Sequence, residues 1–132
     1  MTLSLDVLKR LPTDTVSLSI HGAPTVRYRA VRLLDVMAAA ASPIDSLRLG
    51  NAGWIVVALA SDGYVAVFSA AEIEPKLGPT RVYVAFERDS APLSPTAGPF
   101  QFIVPTDLHG TRSARMVTTV RIFDPLNEPS KP

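Results

Sequence analysis

The run WIVVALA (Trp54–Ala60) faces a second run, YVAVFS (Tyr64–Ser69), across the pair Asp62-Gly63. Asp-Gly between two apolar runs is the strongest short-range sign of a β-hairpin, because both residues tolerate the positive φ that a tight turn demands. The first run is apolar without interruption, which predicts a strand buried on both faces. Tyr64 and Trp54 read as core aromatics, with a pocket wall as the alternative for Trp54. The sequence Ser69-Ala-Ala-Glu72 follows at once and has the spacing of a capping box. There the serine oxygen accepts from the amide three residues on and the glutamate reaches back, so a short helix should start at this point and end by Pro75.

Strand-like segments recur along the rest of the chain. TVSLSI (Thr15–Ile20) and VRYRAVRL (Val26–Leu33) alternate apolar and polar residues as neighbouring half-buried strands do. In the second of these, alternation puts Arg27 and Arg29 on one face, which reads as solvated. TRVYVAFER (Thr80–Arg88), FQFIV (Phe100–Val104) and MVTTVRIF (Met116–Phe123) complete the set, and Glu87, Arg88 and Asp89 form a charged strand end. Between them, Asp89–Pro99 is a turn-rich connection with three prolines. Ser4 or Thr2 is placed to cap a helix through Leu5–Leu11 that stops at Pro12. Leu33–Ala41 is helix-prone and ends at Ser42-Pro43. The expected class is α+β, mostly mixed β-sheet with two or three short helices. Residues 1–124 read as one domain and 125–132 as a flexible tail.

Composition removes several function classes. With 47% apolar and 19% charged residues, the 132-residue chain is neither disordered nor membrane-spanning in character. Its longest apolar run is far short of the ~20 residues a membrane helix needs. A net charge of +1 is too small for a nucleic-acid footprint built on overall charge. Ten of the thirteen cations are arginine, which suits planar, multidentate anion binding, although a compositional bias of the genome gives the same count. The absence of cysteine excludes disulfides and thiolate chemistry within this chain. The two histidines, His21 and His109, lie 88 positions apart and neither sits in a metal-ligand pattern, so no metal site built from protein ligands alone is expected. GxSxG, P-loop, HExxH and GxGxxG signatures are all missing.

The stretch PTDLHGTRSARMV (Pro105–Val117) gathers more hydrogen-bond donors than a strand connection needs. Gly110 permits close backbone approach or a positive φ. Arg112 and Arg115 offer forked donors for a phosphate or a conjugated carbonyl group, and Ser113 and loop amides add further donors. The competing reading is a solvated connection with ordinary surface arginines. His21, at the end of an apolar strand, is either a satisfied edge histidine or a residue pointing into a site beside this loop.

Three stretches resemble the molybdopterin-binding domain of the sulfite oxidase family, in its short stand-alone form. YRAVRLLDVMAAA is similar to the family's Y/W-x-G-V-P-L-x-D-L-L element, with Ala30 and Arg32 where glycine and proline are usual. DGYVAVFSAAEIEP is similar to its hairpin and following helix. AFERDSAPLSPTAGPFQFIVPTDLHGTRSARMVTTVRIF looks like its D-G-x-P-L … G-P-x-R-x-V-V-P … G-x-R/K-x-x-K/R tail and carries the most specific likeness. The resemblance covers most of the chain, roughly Leu5 to Phe123.

The resemblance implies a sulfite-oxidase-type fold in which the loop holds the pterin's phosphate and ring edge. The matching positions here are Gly110, Arg112, Ser113 and Arg115, with His109 as the candidate to orient the ring edge, molybdopterin as the implied cofactor and the periplasm as the implied location. Catalytic members also hold molybdenum through a cysteine thiolate, and this chain has none. SIHGAPTV occupies the corresponding segment, and Gln101 stands where an arginine is usual. Three functional expectations follow: a pterin-dependent oxidoreductase domain with an unknown redox partner, a non-catalytic module for a small anion or a pterin, or a cofactor-free interaction scaffold with an exposed apolar patch.

Overall fold

The computed structural model describes residues 2–19, 24–39, 53–107 and 110–124. The chain order is α1 (Leu5–Arg10), β1 (Asp14–Leu18), β2 (Val26–Arg32), α2 (Leu33–Ala39), β3 (Ile55–Ala60), β4 (Val65–Ser69), α3 (Ala70–Ile73), β5 (Tyr83–Arg88), β6 (Ala91–Pro92), β7 (Gln101–Ile103) and β8 (Val117–Phe123). The α+β class is as expected. The sheets are not mixed, however: every strand pair among the described residues is antiparallel. One sheet has five strands, with β1, β2 and β5 in sequence and both β6 and β7 on β5. The other has three strands in the order β4-β3-β8.

The hairpin forms where Asp62-Gly63 places it. Its loop is three residues, Ser61 to Gly63, closed by the Ala60 amide donating to the Tyr64 carbonyl (3.0 Å). Only Gly63 takes a positive φ, +90°, and the Asp62 carboxylate accepts from the Tyr64 amide (3.0 Å). Such a loop, with a left-handed residue in its last position, is the next commonest hairpin solution after the two-residue turns. The following helix has the predicted capping box, with Ser69 Oγ accepting from the Glu72 amide and Glu72 accepting from the Ser69 amide.

Burial of β3 departs from expectation. Val56 and Ala58 are fully buried, whereas Ile55, Val57 and Leu59 are only half-buried. β3 is the central strand, so its outward side chains are shielded laterally by β4 and β8 but not covered from above. On the same outer face Val65 and Val67 are about half exposed, at 50% and 49%.

The main core fills the space between the sheets, with Val56, Phe68 and Val120 from one and Val31, Val84 and Phe102 from the other. A second cluster, Val16, Tyr28, Ala30, Ala85 and Ile103, lies on the far face of the five-stranded sheet. β2 therefore sends alternate residues into two apolar regions, and Arg27 and Arg29 share an exposed stretch as their spacing predicts. The Arg29 guanidinium lies 5.4 Å from the Phe86 ring centroid and 3.6 Å from Glu87.

Several boundaries shift. Thr80–Val82 precede β5, because the Thr80 amide donates to the Glu72 carbonyl (3.0 Å) and the Val82 carbonyl accepts from the Leu33 amide (2.9 Å). Ser4 is the N-cap residue of α1 without a side-chain bond, while Thr2 bridges to Thr119. Met116, expected in the last strand, turns at φ +59° before β8 begins. Ile20, His21, the predicted helix end at Ser42-Pro43 and the tail lie outside the described residues.

Candidate functional site

Two connections meet at one end of the three-stranded sheet: the β3–β4 turn and the segment from Gly110 to Met116. Between them lies an open groove of about 240 Å³, walled by Asp62, Tyr64, Gly110, Thr111, Ser113 and Arg115, with Ala114 beneath. Tyr64 is 45% exposed rather than in the core, and its hydroxyl donates to the Thr111 carbonyl (2.6 Å). An amphipathic ring spanning two loops in this way fixes the groove's width.

The segment is held from below. Ser113 Oγ accepts from the Val104 amide (3.0 Å), and the Ser113 amide donates to the Gly110 carbonyl (3.1 Å), closing a single 3₁₀ turn over Gly110–Arg112. The Ala114 carbonyl accepts from the Phe102 amide (2.8 Å). Met116, with its left-handed backbone, donates its amide to Ala97 and accepts from the Ser61 amide. A non-glycine residue in that region costs roughly 1–3 kcal/mol and persists only where its surroundings over-determine it, as these two bonds do. Its effect is to present Arg115 to the groove, exposed and with no hydrogen bond or ion pair to a described residue.

Arg112 faces the other way. Its Nε and Nη2 donate to the two Asp107 oxygens at 2.9 and 2.7 Å. Nη1 lies 2.8 Å from Glu72 Oε1 and 3.3 Å from the Val67 carbonyl, and the guanidinium carbon sits 4.6 Å above the Phe68 ring. The bonds to Asp107 raise the Arg112 pKa against the opposing effect of burial, and Glu72 raises it further. Burial pushes the Glu72 carboxyl up, but bonds from Ser69, Arg112 and Thr80 outweigh it and hold the group below its ordinary value. Arg112 thus bridges two carboxylates and a carbonyl on the open edge of β4.

Of the residues the sequence marks, Gly110, Ser113 and Arg115 line one groove and Arg112 does not, while His109 lies outside the described residues. Gly110 has no positive φ, and a Cβ there would meet nothing within 4 Å, so the fold itself does not require glycine. Gln101 is buried, at 8% exposure, and lines no part of the groove. Sequence reasoning missed Asp62, assigned only to the turn, and Tyr64, assigned to the core. The one available signal for both was that the turn carries groups with polar tips; the bond from Tyr64 to Thr111, and the groove that Asp62 shares with them, are purely tertiary.

The chemistry available is the Arg115 guanidinium, unpaired by any described residue, the Ser113 hydroxyl hydrogen, and the Asp62 carboxylate with one oxygen committed to Tyr64. No histidine or carboxylate is hydrogen-bonded to Ser113 among the described residues; its Oγ accepts from the Val104 amide and keeps a hydrogen to donate. No group of three potential metal ligands occurs among those residues. No described helix is long and apolar enough to cross a membrane. Molybdopterin fits this donor set poorly. One of the two arginines matched to its phosphate is saturated by Asp107 and Glu72, a carboxylate borders the groove, and the chain has no thiolate for the metal. A scan against models of known protein families finds no match to the chain, and no curated protein matches it.

Proposed function

We propose that the groove between the β3–β4 turn and Gly110–Arg115 binds a small anionic ligand, and that the protein is a binding module without turnover chemistry. The observation that carries this reading is Arg115. A guanidinium unpaired by described residues, presented by a strained backbone beside a hydroxyl donor, is suited to a carboxylate or phosphate oxygen. Asp62 opposite disfavours a ligand of high negative charge and favours one that also carries an N–H or O–H donor. A pterin bearing a carboxylate has both features. Kinship with the sulfite oxidase family rests on the three sequence stretches, and in this reading the chain keeps that family's loop position without its metal chemistry.

Calorimetric titration with inorganic phosphate and with pterin-6-carboxylate tests the proposal. Binding of at least one should weaken about tenfold or more in Arg115→Ala, the expected loss of one charge-assisted bond. Affinity unchanged by that substitution sinks the placement of the site. Pterin and molybdenum in stoichiometric amounts, in protein from a host that makes the cofactor, would overturn the non-catalytic reading.

A further inference from the structure

A second cavity, of about 180 Å³, shares no residue with the groove. Its floor is apolar, formed by Leu33, Ile73 and Val82 at 1%, 4% and 6% exposure. Its walls are fixed. The Leu33 amide donates to the Val82 carbonyl (2.9 Å), tying the start of α2 to the approach of β5. Opposite, Thr80 is bonded twice to Glu72, from its amide to the carbonyl and from its hydroxyl to Oε1, both at 3.0 Å. An engineered apolar cavity of about 150 Å³ takes up benzene, so this slot has room for a phenyl group or a branched aliphatic one.

Three charged side chains stand around the opening: Asp14, Arg32 and Arg81. Asp14 pairs with Ala30 across β1 and β2, which sets Arg32, two residues further on, diagonally beside it on the same face. The two nevertheless form no ion pair. Arg32 leans toward Asp35 at 3.4 Å, and neither the Asp14 carboxylate nor the Arg81 guanidinium bonds to any described residue. Charges of both signs around an apolar slot, with Asp14 and Arg81 bonded to no described residue, match a ligand that is itself doubly charged at one end and apolar at the other. A simple carboxylic acid would leave Asp14 opposed to it, and a simple amine would face two arginines.

We propose that this cavity binds a free apolar α-amino acid of leucine or phenylalanine size. Its carboxylate lies toward Arg32 and Arg81, its ammonium toward Asp14, and its side chain on Leu33, Ile73 and Val82.

Titration of the whole chain with L-leucine, L-phenylalanine, 4-methylpentanoate and 3-methylbutylamine tests this. One of the amino acids should bind, and each single-charge analogue should bind at least about tenfold more weakly. Asp14→Asn should abolish the preference for leucine over 4-methylpentanoate, and Arg81→Ala its preference over the amine. Both side chains are exposed and unpaired with described residues, so melting temperatures of the two variants should match the parent and show that they fold. Arg115→Ala should leave amino-acid binding unchanged. No binding of either amino acid at about 1 mM, or equal binding of the acid and leucine, would overturn the proposal.

Discussion

Arg112 is where a single side chain does most to hold this protein's loops together. With 28% of its side chain exposed, its ion pairs are only partly screened, so they fall between the small value of a surface pair and the 3–5 kcal/mol lost when a buried pair is broken. Arg112→Ala should cost about 2 kcal/mol in urea unfolding, since it leaves Asp107 and Glu72 without their shared cation. Lysine cannot reproduce the fork on Asp107, so Arg112→Lys should recover only part of the loss. The same cluster sets an acid limb. Glu72 is depressed in the folded state, so its stabilisation is complete above the unfolded carboxyl value and lost as pH falls through the lower folded one. Stability of Glu72→Gln, followed by urea titration from neutral to acid pH, should therefore fall less steeply below about pH 4.5 than that of the parent. Nothing in TRSAR says which arginine turns inward. The choice is made by Glu72, whose capping role was legible, and by Asp107, whose pairing was not. The same limit applied to Tyr64, read as core because its contact with Thr111 joins segments far apart in the chain.

At the scale of elements, local chemistry was legible wherever one short segment decides the outcome. The Asp62-Gly63 turn and the Ser69–Glu72 box formed because their hydrogen bonds close within a few residues. Features needing a neighbour were not legible, including the half-covered outer face of β3 and the position of Gly78. The sequence draws attention to Gly110, whereas the structure makes Gly78 the demanding position. A Cβ on Gly78 would lie 2.6 Å from the Glu72 Cα and 2.7 Å from the Ala71 and Glu72 carbonyl oxygens, all backbone atoms of α3. Backbone cannot yield as a side-chain tip can, so Gly78→Ala should cost about 2–3 kcal/mol by forcing the segment off the helix. Gly110→Ala should fall within about 0.5 kcal/mol of the parent. Paired thermal melts decide this, and equal losses at the two sites would mean that the segment after α3 repacks freely.

For the whole molecule, the α+β class followed from counting alternating segments, but the division of strands between two sheets did not. β2 pairs with β5 and β3 with β8, and those choices depend on contacts between distant parts of the chain. The sheets are joined by the shared core and by the Val117 amide of β8 donating to the Phe100 carbonyl just before β7 (2.8 Å), and within the core the Phe68 and Phe102 rings lie 6.0 Å apart at 37°. Phe68 comes from the three-stranded sheet and Phe102 from the five-stranded one, while Arg112 covers the Phe68 ring. Both rings are fully buried, so removing one leaves a cavity that neither sheet can fill alone. Phe68→Ala should cost about 3–5 kcal/mol. If the core couples the sheets, that loss must appear equally in both. Native-state hydrogen exchange at the Val56 and Ala58 amides of β3 and at the Ala30 and Val31 amides of β2 should lose protection by the same factor. Protection lost in β3 and retained in β2 would instead mean that the five-stranded sheet, with its second cluster around Tyr28 and Ile103, is a unit stable on its own. The groove would then open with the smaller sheet while the amino-acid cavity stayed largely intact, since most of its lining comes from around β2 and β5.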